Sequence, residues 1–207
     1  MSTVNFHAMK RIVLLVFCLF STHIVVSQSF MQTFGINGFM DRYQSKTTIS
    51  SGLAYTVRYN FMEKEKMSIS VGLPMSLGGV AKDGEYGGYY YDASYLKNFR
   101  FMIDIPLVVN FNFAGLSTPD NKQLFGGFVG GGIGYHFGPV TKEKVDSYGY
   151  LNYDETTQSA AGPVLNGGFR LRFGKNDNNY IEARGSYMKS FLKHDADVIG
   201  IQLTFGW

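Results

Sequence analysis

FRFMIDIPLVVNFNF, residues 99–113, carries a large apolar side chain at every odd position, from Phe99, Phe101, Ile103 and Ile105 to Leu107, Val109, Phe111 and Phe113. The even positions between them include Arg100, Asp104, Pro106, Asn110 and Asn112. A period of two places successive side chains on opposite faces of an extended chain. The segment therefore predicts a β-strand with one apolar and one mixed, partly charged face.

The same pattern recurs on both sides of it. Upstream, Ile49, Leu53, Tyr55, Val57, Tyr59 and Phe61 alternate with Ser50, Gly52, Ala54, Thr56, Arg58 and Asn60. After the charged turn Glu63 to Lys66, the parity resumes in Met67, Ile69, Val71, Leu73, Met75 and Leu77. Downstream it returns in Phe125–Phe137, Leu165–Phe173, Ile181–Tyr187 and Ile199–Trp207, and an opening segment, Phe30–Met40, brings the number of strands to eight.

Alternation alone does not say which face is inside. A soluble lipocalin-like barrel fills its lumen with the apolar face, and a membrane barrel turns that face to lipid. Volume decides between them, because an eight-stranded barrel is only wide enough for side chains to fill. The eight large residues of 99–113, with comparable sets from three other strands, would overfill it, whereas the opposite face is rich in Gly and Ser with a few charges. The fold expected is all-β, an eight-stranded antiparallel up-and-down transmembrane β-barrel. Most segments reach the ~9–11 residues that a membrane strand needs. With both termini periplasmic, the connections near 63–66, 114–123 and 174–179 are periplasmic turns, and those near 41–47, 79–98, 139–160 and 189–197 are extracellular. Tyr59, Phe61, Phe111, Phe113, Phe125, Phe173, Phe205 and Trp207 then form an aromatic girdle at the periplasmic interface.

Composition agrees. Glycine supplies 25 of 207 residues, Phe 18 and Tyr 14, against only 5 prolines, which suits short strands and turns and neither a coiled coil nor collagen. Lys10 and Arg11 followed by the apolar run Ile12–Phe20 and a small residue at Ser27 read as a cleavable secretory signal over residues 1–27, with Met9 as an alternative start. The barrel domain is then 28–207. The nine-residue apolar core is too short to span a bilayer as a helix. Cleavage removes Cys18, the single cysteine, and leaves 17 basic against 16 acidic residues. Neither a disulfide nor a nucleic-acid partner is expected.

On these residues the chain resembles the small outer-membrane β-barrel family of Bacteroidota-type bacteria, described as PorT-like or porin-like. Ile103-Asp104-Ile105-Pro106-Leu107 is similar to that family's acidic-Ile-Pro-Leu motif, followed by a turn and the glycine-rich strand Gly126–Gly138. The ending Ile201–Trp207, with aromatic Phe205 and Trp207, is similar to the terminal signal that such barrels offer to the barrel assembly machinery. The resemblance implies the fold and an outer-membrane location, among lipid and lipopolysaccharide, rather than an activity.

Candidate functional residues fall into three groups. On lumen parity stand Arg58, Arg100, Asp104, Arg170, Arg172, Glu182 and Arg184. Charges in a narrow lumen need partners, and the turn at 174–179 brings Arg170 and Arg172 towards Glu182 and Arg184. The expected outcome is a plug in which Asp104 and Glu182 hold the arginine excess. Missing side chains at Gly126, Gly130, Gly132 and Gly134 are expected to make room for arginines. That glycine run is no dinucleotide loop, because no helix follows it. The second group is His136 with His194 and Asp195, read as exposed or interfacial: no serine or spaced carboxylates accompany them, so no catalytic residue, cofactor or metal site is expected. The third is a candidate binding surface in the long loops, Tyr86, Tyr89, Tyr90, Tyr91, Tyr95, Tyr148, Tyr150 and Tyr153, since tyrosine offers wide amphipathic contact at little entropic cost. Alternatively these tyrosines extend the hairpins above the membrane and pack on one another.

Together these features predict a non-enzymatic, monomeric outer-membrane barrel that presents loops to lipopolysaccharide, a glycan or another envelope protein. The alternatives are a small-solute channel and a lipid-modifying enzyme. Pro74 and Pro106 lack a ladder donor and stand at matching heights of neighbouring strands, so a bulge or local break is expected between them.

Overall fold

The computed structural model describes residues 30–43, 46–81, 99–118, 121–145, 151–173, 179–192 and 196–207. The signal segment 1–27 and its cleavage point lie outside them. Eight strands follow one another along the chain: β1 (Phe30–Tyr43), β2 (Lys46–Lys64), β3 (Met67–Ala81), β4 (Phe99–Ala114), β5 (Phe125–Val145), β6 (Leu151–Arg172), β7 (Tyr180–Lys189) and β8 (Ala196–Gly206). Each pairs antiparallel with the next, and β1 pairs with β8 from Thr33 opposite Gly206 to Tyr43 opposite Ala196, closing the barrel. No helix occurs among the described residues.

Side-chain parity settles which face is inside. On β4, Phe101 is 60% and Leu107 56% exposed, while Met102, Val108, Asn110 and Asn112 are at most 1% exposed. The apolar face points outward, as a lipid-embedded barrel requires and a lipocalin-like barrel forbids. The periplasmic aromatics meet on that outer surface: Phe173 lies 5.7 Å from Phe205, and Phe205 stacks on Trp207 at 6.1 Å. Towards the other end, the outward Tyr187 donates its hydroxyl to Asp197 at 3.0 Å, and the hydroxyls of Tyr135 and Ser159 share a hydrogen bond of 2.9 Å. An apolar ring with a polar tip suits such an interface.

Two irregularities interrupt the ladders. Between β3 and β4 the pairing runs from Met67 opposite Phe113 to Gly72 opposite Val108, and resumes unshifted at Ser76 opposite Asp104. Pro74 and Pro106 face each other inside that gap, so the missing donors open the ladder without inserting a residue: a break, with no bulge. The register shift lies instead between β2 and β3, at Phe61/Lys64, where Met62 has a φ of 54°.

The extracellular side differs from the sequence expectation. The connection expected over 139–160 is mostly strand, because β5 continues to Val145 and β6 begins at Leu151 opposite it. Likewise β1 reaches Tyr43 and β2 starts at Lys46, so Asp41 belongs to a strand rather than to a loop. Above Phe137 the ladder between β4 and β5 ends, and β5 approaches β2. There Thr141 Oγ1 lies 3.1 Å from Thr48 Oγ1 on β2, and Val140 and Ala160 pack into a buried cluster with Tyr43, Ala196 and Val198.

Closure depends on β8, whose Phe205 stands opposite Phe34 of β1 and Ile181 of β7. Deleting Phe205 to Trp207 would leave open backbone groups on both neighbours. The folded, heat-modifiable fraction in cells is expected to fall several-fold, and unchanged yield would show that closure does not need these residues.

Candidate functional site in the lumen

From the periplasmic end upward, the lumen is a stack of layers. At the bottom, the turn after β4 folds into the barrel, with Leu116, Ser117, Thr118 and Asn121 buried. Arg58 Nη2 on β2 donates to the Leu116 carbonyl at 3.3 Å, and the Ser68 hydroxyl donates to the Ser117 carbonyl. Asn121 Nδ2 donates to the carbonyls of Glu65 and Ala114, both at 2.9 Å, and Arg172 Nη2 donates to the Asn121 carbonyl at 2.7 Å. Leu116 packs against Met31 and Tyr180. Ala114 and Leu116 hold φ of 60° and 59°, a left-handed conformation costing about 1–2 kcal/mol per residue. Such strain persists where surrounding contacts over-determine it, as these do.

Above the turn, Glu182 of β7 gathers arginines from three strands. Arg170 Nε on β6 donates to Oε2 at 2.6 Å, Arg184 Nη2 of β7 donates to Oε1 at 2.8 Å, and Arg58 Nη1 lies 3.9 Å from Oε2. Arg170 also donates through Nη1 to Asn112 Oδ1 at 3.0 Å. The guanidinium carbons of Arg170 and Arg184 lie 4.2 Å and 5.0 Å from the ring centre of Phe128, a cation–π arrangement. Phe128 is 2% exposed, and Gly168 gives it space, because a Cβ there would come 2.8 Å from Phe128 Cζ.

Next comes an apolar layer. Val108, Val164 and Met188 are buried inside the barrel, and a Cβ at Gly134 would come 2.6 Å from Val164 Cγ2 and 3.0 Å from Met188 Sδ.

Over that layer lies a second charged cluster. His136 of β5 places Nε2 3.0 Å from Asp41 Oδ1 of β1 and Nδ1 3.2 Å from Asp104 Oδ1 of β4. Phe39 covers the ring at 5.4 Å. A carboxylate oxygen only accepts hydrogen bonds, so both ring nitrogens can donate only as imidazolium, unless one carboxyl carries the proton. The imidazole stands between the carboxylates and joins β1 to β4 and β5 across the lumen. Gly138 is required beside it: a Cβ there would run into His136 Nε2 and come 3.2 Å from Asp41 Oδ2.

Several expectations change accordingly. Arg58, Arg170, Arg184 and Glu182 are brought together. Arg172 is not with them but on the periplasmic turn, because it lies one lumen position nearer the end of β6. Asp104 serves His136 rather than the arginines. Arg100 is half-buried at the extracellular end of β4, opposite Val80. His136 is 2% exposed, not interfacial, because β5 keeps its parity through Gly138. Gly130 and Gly132 do not make room for arginines: a Cβ on either would strike the β4 backbone, at 2.7 Å from Asn110 Cα or 2.8 Å from Val108 Cα. Tyr86, Tyr89, Tyr90, Tyr91, Tyr95, Tyr148, Tyr150, His194 and Asp195 lie outside the described residues, as does the side chain of Tyr153, whose backbone stands opposite Glu143. Sequence reading missed Asp41, Phe128 and Asn121. The parity of Phe34, Ile36 and Met40, continued one residue further, already turns Asp41 inward.

No family model and no curated protein matches the chain. Among solved structures, Ail, the attachment invasion locus protein of Yersinia pestis, is similar in complex with the heparin analogue sucrose octasulfate, with a TM-score of 0.53 and 11% identity over 86% of this chain and 96% of that one. A second Ail structure gives 0.52 and 12% identity over 87% and 98%. Neisserial surface protein A covers 86% and 94% at 11% identity, with a TM-score of 0.44. The likeness to Ail is one of fold: this chain is a small, closed eight-stranded outer-membrane-type barrel with its apolar face outward.

Two substitutions test the layers. Glu182→Ala leaves Arg170 and Arg184 without a counter-charge, and breaking a buried pair costs ~3–5 kcal/mol. A urea midpoint in detergent or lipid equal to wild type would contradict the network. Gly138→Ala forces the His136–Asp41 contact apart, and overpacking of this kind costs about 1–3 kcal/mol. The same unfolding curve should shift to lower urea, and adding His136→Ala should remove most of that shift.

Proposed function

We propose that the protein is a bacterial outer-membrane barrel with a structural or binding role, which presents its extracellular hairpins to a ligand while its lumen stays shut. The observation that carries this reading is closure at both ends. The turn holding Leu116 and Asn121 fills the periplasmic end, and towards the other end β5 bonds Thr48 through Thr141 above the buried Val140 and Ala160. The tyrosines of 86–95 and 148–153, which lie outside the described residues apart from the backbone of Tyr153, are the contact residues we propose. The alternating apolar exterior and the aromatic ending support a route through a cleaved signal at 1–27 and the barrel assembly machinery, into lipid and lipopolysaccharide, as a monomer of the PorT-like kind. We propose a bracing rather than a catalytic role for His136, whose contacts among the described residues include Asp41, Asp104 and Phe39.

Ail was solved with a heparin analogue, which makes sulfated glycan a sensible first probe beside purified lipopolysaccharide. The chain should be recovered from the outer-membrane fraction beginning at Gln28, and refolded protein should give no discrete conductance steps in planar bilayers. Changing Tyr148, Tyr150 and Tyr153 together to Ser should weaken binding to one probe by about tenfold or more without moving the unfolding curve, since buried tyrosines dominate interfaces. Steady conductance would favour the small-solute channel. Recovery in the soluble periplasm would overturn the membrane reading.

A further inference from the structure

The Glu182 layer carries more positive charge than its own side chains balance. Arg58, Arg170 and Arg184 reach one carboxylate, at 3.9, 2.6 and 2.8 Å, and the three are between 0% and 4% exposed. Three guanidiniums and one carboxylate leave a local charge of two units in a low-dielectric interior, where unbalanced charge is costly. Among the described residues the other buried carboxylates are Asp41 and Asp104. Those bind His136, eight residues up β5 from Phe128 and roughly 26 Å along the strand, beyond the apolar layer of Val108, Val164 and Met188.

The donors show where balance is lacking. Each guanidinium has five N–H groups, yet Arg58 Nε and Nη1, Arg170 Nη2 and Arg184 Nη1 are buried without a hydrogen-bond partner. They belong to three side chains already drawn to one point by Glu182. Phe128 fixes two of them, through the ring contacts of Arg170 and Arg184. Fixed, unsatisfied donors with surplus positive charge make an anion site.

We propose that the lumen binds one small inorganic anion of chloride's size, held by Arg58, Arg170 and Arg184 on the side of their guanidiniums that Glu182 does not fill. A larger anion is excluded because a lumen of eight strands has little space beyond its side chains. The anion satisfies donors that Glu182 cannot reach, and it ties β2, β6 and β7 together more firmly. The site does not depend on what the extracellular loops bind.

The test uses refolded full barrel in detergent at constant ionic strength, with chloride exchanged for gluconate, which is too large to enter. The urea midpoint of wild type should rise saturably with chloride and stay flat in gluconate. Arg184→Gln, or Arg58→Gln if the first variant does not fold, should lose the saturable rise, and Glu182→Gln should steepen it. Crystals soaked in bromide should show an anomalous peak within hydrogen-bond distance of at least two of the three arginines. Coincident chloride and gluconate curves in wild type, or a lumen without bromide, would overturn the proposal, leaving hydration to satisfy the free donors.

Discussion

A strand in hydrocarbon must give every backbone N–H and C=O a protein partner, and among sheets only a closed ring does so. Eight strands are enough to close that ring, but they leave an interior about as wide as the side chains that fill it. Everything in this lumen follows from that restriction. A long charged side chain on the inner face is packed among others, and it meets its partner on another strand, as Arg170 and Arg58 do, or two residues along its own, as Arg184 does. Glu182 is where this demand is met most densely, binding Arg170 and Arg184 directly and drawing in Arg58 from β2.

The same narrowness explains why polar and apolar layers alternate. Asn112 receives Arg170 and donates to Ser70 at 2.9 Å, and Gln202 reaches across from β8 to Ser76 on β3 at 3.2 Å. Between the charged levels, Val108, Val164 and Met188 add buried apolar surface beside that neutral bridge. The glycines of β5 serve this packing, since at Gly130 and Gly132 even a Cβ would strike β4. At the periplasmic end, the strained Leu116 backbone is held by hydrogen bonds from within the lumen, so removing Arg58 would loosen the turn as well as the Glu182 cluster.

Much of this was legible because a membrane strand has one apolar face. Period two placed Arg58, Arg170, Arg184 and Glu182 inside, and the short turn between β6 and β7 placed Arg170 opposite Glu182. The signal fades where the chain leaves lipid. Pro139 to Ala160 has no apolar alternation and reads as loop, yet the backbone continues as a paired hairpin. His136 and Asp41 had inward parity and were misread for a different reason. One looked like an isolated histidine and the other like a turn residue, and their meeting depends on how the closed ring brings β1 across from β4 and β5. That is a property of the whole barrel rather than of either strand. The arginine counter-charges were misassigned likewise: parity gives the face, but height along the axis decides whether Asp104 meets an arginine or His136.

Layering also bears on conduction. A proton or ion moving through the lumen would have to pass from the Asp41–His136–Asp104 cluster to the Glu182 cluster. Between them Val108, Val164 and Met188 place apolar side chains on β4, β6 and β7, while the neutral pair Gln202–Ser76 spans β8 and β3 and carries no charge from one cluster to the other. Beside the upper cluster Ala160 stands opposite His136 and Val198 opposite Asp41, and Met102, Val140 and Ala196 add further buried apolar surface. The two charged groups are therefore better understood as separate cross-braces than as steps of one path. Each joins strands that are not neighbours in the ring, β1 to β4 and β5 above, and β2 to β6 and β7 below, so together they brace the barrel in directions that its backbone ladders do not.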